Sequence, residues 1–391
     1  MIWPYIILSY VTLFLFGLSD NIRGPLLPEL IRFFDLNNTV GSFIFAFSSA
    51  FGFVASGLTP KMIQRFGLYY SLLFGVALLA LGNLIAGSAN SYIMLLSGIC
   101  FFGFSLGLTN VVQNIMVSQS GPDQYLSRTL AGLHSMYGLA SLFAPFVVSL
   151  NYEMHFDWRG SFLSVSLFGL LILIWGYVFY SSKIKSIEER ALLMVAQNRK
   201  DNYLSVAHEP KLLQWFAGFI LAAYVVAEIM VSSRMAQYVR EVHGADLEKS
   251  TLYVSLFFLL LLAGRLFFAF VHVPVSKEKL LSGSLILSIA MALLGIHWSP
   301  WFFAMTGLTM SLFYPMAIAY ISDKFSHDSN SAISKAVMLQ GFFVILMHIG
   351  VGYLTDLFGI QKALYFGILF LALSGASLFY CHQQLKSKKV S

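Results

Sequence analysis

The chain has 391 residues, 58% of them hydrophobic, 16% aromatic and only 11% charged, which is too little polar surface to cover a water-soluble globule of this size. The net charge of +6 does not point to nucleic acid. The basic residues gather in alternate connections between apolar runs, as the positive-inside rule requires of a polytopic membrane protein.

Runs of about 20 apolar residues, enough for a helix to cross a ~30 Å hydrocarbon core, recur twelve times. They lie near 5–33, 40–59, 69–88, 91–116, 130–150, 160–181, 212–236, 250–271, 279–297, 301–322, 335–355 and 362–381. The runs are continuously apolar rather than alternating, so they predict helices and not a barrel. The expected class is an all-α membrane protein with twelve transmembrane helices in two pseudo-symmetric six-helix bundles. With the N-terminus cytoplasmic, the inner loops and tail hold sixteen of the 24 Lys and Arg, against five in outer connections, and Arg23, Arg234 and Arg265 lie within helices. Both termini are then cytoplasmic. The opening "MIWPYIILSYVTLFLF" has no basic n-region and no small-residue cleavage site, so it is read as the first span and not as a cleaved signal.

In the first span, "GLSDNIRGPLLPEL" at 17–30 keeps a carboxylate and a guanidinium three residues apart. Gly17, Asp20 and Gly24 share a face, Arg23 sits beside Asp20, and Pro25 and Pro28 interrupt the helix where a solute could meet freed backbone groups. An unpaired charge at this depth costs several kcal/mol by order of magnitude, so a partner or cavity water is required. The fourth span carries Gly103, Gly107, Asn110, Gln113 and Asn114 down one side. Their amides both donate and accept, which suits hydroxyl-rich solutes, and the glycines admit a close neighbour. The fifth span offers His134, Tyr137 and Ser141 before Pro145.

The one long polar stretch, 182–211, divides the helices six and six, giving an N-terminal bundle 1–182, a cytoplasmic linker 183–211 with an amphipathic segment "IKSIEERALLMVAQNRK", and a C-terminal bundle 212–391. An internal repeat near 208 residues supports this division. "PELIRFFDL" at 28–36 faces "AQYVREVHG" at 236–244, "LSRTLAG" at 126–132 faces "ISKAVML" at 333–339, and the offset carries Asp20 onto Glu228. In the seventh span Tyr224, Glu228 and Ser232 share a face, with Arg234 a turn and a half beyond. Two readings of Asp20 and Glu228 stand side by side: one of them exchanges the coupling proton, or both form permanent ion pairs that lock helices together. Arg265 in "AGRLFF" reads as a gate-region ion pair. Trp298 and Trp301 read as interfacial anchors, and the eleventh span adds Gln340 and His348. Cys100 and Cys381 read as packing residues.

No Walker A, H-E-x-x-H, G-x-S-x-G or paired C-x-x-C is present, so neither an enzyme, a cofactor nor a metal site is expected. The chain resembles the major facilitator superfamily over its whole length. "TDLFGIQKALYFG" at 355–367, with Asp356, and "FDWRGSFL" at 156–163 are similar to the turns that close each half, and "SLFYP" at 311–315 to the tenth-helix signature. "QRFGLYY" at 64–70, with Arg65, matches the inner gating loop except that Gln64 stands where the aspartate belongs. The N-half is most similar to the fucose/glucose permease branch, through "GLTNVVQNIMVSQSGP" at 107–122 and "LAGLHSMYGLASLFAP" at 130–145. Asn110 replaces that branch's coupling glutamate, and its helix-1 aspartate aligns with Gly24, one turn from Asp20.

The resemblance implies a monomeric secondary transporter in a bacterial inner membrane, moving a small polar solute, such as a sugar, by alternating access with a proton as coupling ion. Its partners are the solute, the coupling ion and the lipid bilayer, not nucleic acid. The substrate and coupling candidates are Asp20, Arg23, Asn110, Gln113, Asn114, His134, Tyr137, Tyr224, Glu228, Ser232, Gln340 and His348. The gate candidates are Arg65, Arg265 and Asp356. Two alternatives stay open: a proton-driven efflux antiporter for amphiphilic compounds, and an organic-anion or metal-ion carrier.

Overall fold

The computed structural model describes residues 2–120, 123–180, 186, 210–271, 274–325 and 329–390. The amphipathic segment expected within the linker lies outside the described residues. The described chain is built of α-helices. They are α1 (Trp3–Asn21), α2 (Arg23–Phe33), α3 (Asn38–Gly41), α4 (Phe43–Gly87), α5 (Tyr92–Ser118), α6 (Asp123–Glu153) and α7 (Trp158–Tyr180), followed by α8 (Lys211–His243), α9 (Leu247–Phe270), α10 (Lys277–His297), α11 (Pro300–Met310), α12 (Phe313–Lys324), α13 (Ser329–Phe358), α14 (Ile360–Ala363) and α15 (Tyr365–Val390).

Eleven helical stretches among the described residues are long and apolar enough to cross a membrane. One of them, Asn38–Gly87, has 50 residues, roughly 75 Å of helix at the usual rise and more than twice a hydrocarbon core. It breaks at Gly67, whose φ of 78° and ψ of 169° are not helical, so it supplies two spans and the expected twelve are recovered. The first span is interrupted just before its prolines. Pro25 has no N–H for the Asn21 carbonyl, and Pro28 none for that of Gly24. The helix accordingly divides at Ile22 into α1 and α2. Large apolar side chains point outward, among them Ile93, Val178 and Ile286, an arrangement suited to lipid and not to water.

The chain forms two compact units. One comprises residues 1–34 and 47–204, the other 35–46 and 205–391. In the first, α1 packs along α6 and also touches α5 and α7. In the second, α8 is the central helix, packed on α13, α15 and α9, while α11 lies against α9 and α10. The short α3 belongs to this second unit and packs on α13.

Candidate functional site

Each unit holds one intramembrane carboxylate–guanidinium–tyrosine cluster. In the first unit the glycines decide where it forms. A Cβ on Gly17 would lie 2.7 Å from Ala140 Cβ, so only glycine lets α1 approach α6 closely enough for Tyr137 to donate its hydroxyl to Asp20 Oδ2 at 2.7 Å. On the other side, a Cβ on Gly107 would overlap the Gly52 carbonyl and one on Gly103 the Ser48 backbone. That close α4–α5 contact brings Ser48 and Phe102 against Arg23. Arg23 pairs with Asp20 through Nη2, donates from Nε to the Asp20 carbonyl at 3.2 Å and from Nη1 to Ser48 Oγ at 2.6 Å. Its guanidinium carbon sits 4.5 Å from the Phe102 ring centroid, within cation–π range. With every nitrogen engaged and 4% of the side chain exposed, Arg23 is fixed. Nearby, Asn21 Nδ2 donates to the Gly17 carbonyl and to Ser141 Oγ, both at 2.9 Å.

The second cluster joins α8 to α9 and to the break between α11 and α12. Glu228 accepts from Arg265 Nη2 at 3.2 Å and 3.4 Å and from the Tyr224 hydroxyl at 2.5 Å. Tyr224 also lies 2.7 Å from the Met310 carbonyl, which the chain presents just before Ser311 ends α11, and its ring stacks on Phe313 at 4.4 Å. Tyr314 lies within electrostatic reach of Glu228 and Arg265. Gly264 permits this geometry, since a Cβ there would overlap Ser311. The guanidinium is more open than its counterpart, 31% exposed against 4%, while the carboxylate is less so, 18% for Glu228 against 25% for Asp20. The buried Nε of Arg265 has no hydrogen-bond partner among the described residues.

A third polar locus joins α3 to α8 and α13. The Asp356 carboxylate accepts from the backbone N–H groups of Asn38 and Thr39, both at 2.7 Å, and from their side chains. Arg234 is fully buried. Its Nη2 donates to Ser42 Oγ at 2.7 Å and to the His348 carbonyl at 3.2 Å. The His348 ring stacks on Phe45 at 4.7 Å. A Cβ on Gly352 would overlap Ser42 Oγ, so this glycine is what lets α13 close on the segment.

Several candidates stand apart from these clusters. Gln113 is fully buried and donates to Thr12 Oγ1 at 2.9 Å, a helix-to-helix tie. Asn110 is exposed and accepts from Asn114 Nδ2 at 2.9 Å. Ser232 donates back to the Ile229 carbonyl, His134 is exposed and Gln340 half-buried. Arg65 is exposed with its guanidinium over Phe66. Arg234, placed beyond Glu228 in the sequence, does not pair with it. Arg265 does, so the ion pair expected of it is made with Glu228. Sequence reasoning missed Ser48, Phe102, Tyr314 and the Met310 carbonyl. Tyr314 and the Met310 carbonyl share a sequence signal, the "SLFYP" stretch whose Pro315 interrupts the tenth span; Ser48 and Phe102 have none.

Residues 10–341 match the family model described as the Major Facilitator Superfamily. The chain belongs to the major facilitator superfamily. Members of that superfamily are membrane transporters of small-molecule solutes, and the long apolar helices among the described residues fit a multi-pass protein of the lipid bilayer. The chain is 29% identical over 154 residues to "Putative transporter AraJ" of Escherichia coli, covering 39% of this chain and 35% of that one. It is 24% identical over 201 residues to "Bypass of stop codon protein 6" of Saccharomyces cerevisiae, covering 50% of this chain and 39% of that one. These matches thus span well under half the length of either relative. The fold is similar to that of the D-xylose–proton symporter, with a TM-score of 0.71 at 12% identity over 97% of both chains. It is also similar to a bacterial homologue of the human lysosomal transporter Spinster, with a TM-score of 0.70 at 13% identity over 97% of this chain and 96% of that one. Among the described residues, no three His, Cys, Asp or Glu converge as a metal site.

Proposed function

We propose that this superfamily member is a proton-coupled carrier of a small polar solute, and that Glu228 is the group that takes up and releases the coupling proton. One observation carries the reading. The Glu228 carboxylate is held by Tyr224 and by one nitrogen of an Arg265 that is 31% exposed and keeps its Nε without a hydrogen-bond partner among the described residues, whereas Asp20 pairs with an Arg23 that is 4% exposed and bonded through all three nitrogens. A carboxylate whose counter-ion is partly open can change charge without leaving that cation buried and unmet. The Asp20 cluster then serves as a rigid polar wall, with Asn110 and Asn114 offering amides to the solute. Bundles 1–182 and 212–391 are the bodies that alternate, joined by linker 183–211. The site of action is the bacterial cytoplasmic membrane, with both termini cytoplasmic and the carrier acting as a monomer.

The test is solute-induced proton movement in reconstituted vesicles, using neutral hexoses, organic anions and lipophilic cations as the panel. A solute that alkalinises a weakly buffered medium as it enters, through the wild type but not through Glu228→Gln, fits the reading. If Glu228→Gln still accumulates that solute against its gradient when driven by a pH difference, Glu228 is not the coupling group.

A further inference from the structure

Resting on the reading of Glu228 as the coupling group, we infer that the carrier's substrate is an organic monocarboxylate, and that its carboxylate replaces that of Glu228 on Arg265 when Glu228 takes up the proton.

The inference starts from what Arg265 lacks. A guanidinium presents five donors in a planar fork that matches a carboxylate two bonds at a time. Here Nη2 alone serves Glu228, and the Nε side of the fork is buried and unused among the described residues. Arg23 offers no such vacancy, since its three nitrogens are bonded and its face is covered by Phe102. The first unit thus holds a guanidinium already committed to structure, and the second unit one whose fork still has an unmet donor.

Charge balance then selects the cargo. With Glu228 ionised, the pair with Arg265 is neutral. When Glu228 gains a proton its carboxylate becomes a carboxylic acid, the ion pair is lost, and the cluster keeps one positive charge, which water screens while the site is open but which is costly once the site closes around it. A monocarboxylate bound to Arg265 returns the cluster to neutrality. A neutral sugar leaves it charged, and a cation makes it worse. On release the anion departs, Glu228 gives its proton to the same side, and the original pair re-forms. One proton moves with one anion, and both the loaded and the empty cluster cross the membrane uncharged. Among the described residues, the titratable or charged groups facing Glu228 are Arg265 from α9, Tyr224 on its own helix and Tyr314 from α12. The Tyr224 hydroxyl, placed between Glu228 and the Met310 carbonyl, holds the protonated acid aside while the fork is occupied.

The probes are glucose, glucosamine and glucuronate, three pyranoses that differ in charge, together with lactate and benzoate. Binding to the purified full chain is read by the rise in thermal stability that a native-state ligand produces. The expected result is stabilisation by one or more of the carboxylates and by neither glucose nor glucosamine. Affinity falls on going from pH 6 to pH 8, by up to about tenfold per pH unit where one proton accompanies each anion. In Glu228→Gln the carboxylate still binds and the pH dependence disappears. In the charge-balanced double variant Glu228→Gln/Arg265→Gln, whose cluster stays neutral, binding is lost while folding is kept. Stabilisation by glucose or glucosamine, no stabilisation by any carboxylate, or carboxylate binding that survives the double variant would each overturn the inference. The two readings fail separately. Carboxylate binding through Arg265 that is equal at pH 6 and pH 8 keeps the anion and removes the proton role. Binding of neutral glucose whose pH dependence vanishes in Glu228→Gln does the reverse.

Discussion

Arg23 and Arg265 are both intramembrane guanidiniums beside a carboxylate and a tyrosine, and their surroundings hold them in opposite ways. Arg23 is 4% exposed, bonded through all three nitrogens and capped by an aromatic ring. Arg265 is 31% exposed, uses one nitrogen on Glu228 and leaves another without a partner. The difference arises from helix spacing. Gly17, Gly103 and Gly107 draw α1, α4, α5 and α6 together around the first pair, whereas the second lies at a point where α11 ends and α12 begins. Close packing converts an ion pair into a structural fastening, and a helix break leaves one adjustable. The contrast makes the same substitution at equivalent positions have different consequences, and that can be measured.

The largest effect is expected from removing the anion of the tight pair. Asp20→Ala leaves Arg23 buried with its charge unmet, at a cost of about 3 kcal/mol or more, read as a large loss of folded protein on heating in detergent. A midpoint within a degree or two of wild type would mean that Arg23 finds another partner and that the first cluster is no more fixed than the second. Next comes the spacing itself. Gly107→Ala places a methyl group on the Gly52 carbonyl and should cost about 1–3 kcal/mol through overpacking. It also shifts Ser48 away from Arg23, so Gly107→Ala and Ser48→Ala combined should destabilise less than the sum of the two. Strict additivity would show that the glycine contact does not position the pair.

Half of this contrast can be read from the sequence. Asp20 and Arg23 stand three residues apart, and the glycines of the first and fourth spans are conspicuous among bulkier apolar neighbours, so a self-neutralised pair at a close helix contact follows from spacing alone. The twelve spans follow as readily, from run length. The pairing of Glu228 with Arg265 does not. The two are 37 residues apart on helices that are apolar on nearly every face, so periodicity does not say which side of α9 turns toward α8, and Arg234 on the same helix is the nearer cation in sequence. Ser48 and Phe102 carry no signal, since a serine and a phenylalanine are ordinary at any depth of a span. The grouping of residues 35–46 with the second unit is equally silent in the sequence. It depends on Asp356 meeting Asn38 and Thr39 across more than 300 positions.

A smaller effect sharpens the loose side. Tyr224→Phe keeps the ring stacked on Phe313 and removes one hydroxyl that serves both Glu228 and the Met310 carbonyl. The expected cost is about 1 kcal/mol, visible as a modest fall in thermal stability. Coupling should weaken with it, because the acid form of Glu228 loses the group that holds it clear of Arg265. Unchanged proton movement per solute in Tyr224→Phe would assign the tyrosine to packing alone.

The smallest effect on folding should come from the change that matters most for transport. Glu228→Gln keeps the shape of the side chain and a carbonyl oxygen for Tyr224 and Arg265, and Arg265 is open enough for its charge to be screened, so the stability loss should stay within about 1 kcal/mol. Asp20→Asn is the matching change in the tight cluster, and its cost should be larger, because Arg23 has no exposure through which to shed the uncompensated charge. The two isosteric variants, compared in one detergent and one vesicle preparation, separate the roles directly. Glu228→Gln should fold almost as well as wild type and fail to accumulate solute on a pH gradient, while Asp20→Asn should fold less well and, in whatever fraction folds, keep the coupling ratio. The reverse pattern would make Asp20 the group that titrates and Glu228–Arg265 the fastening, and the helix break would then be a structural device rather than the opening that frees a carboxylate to change charge.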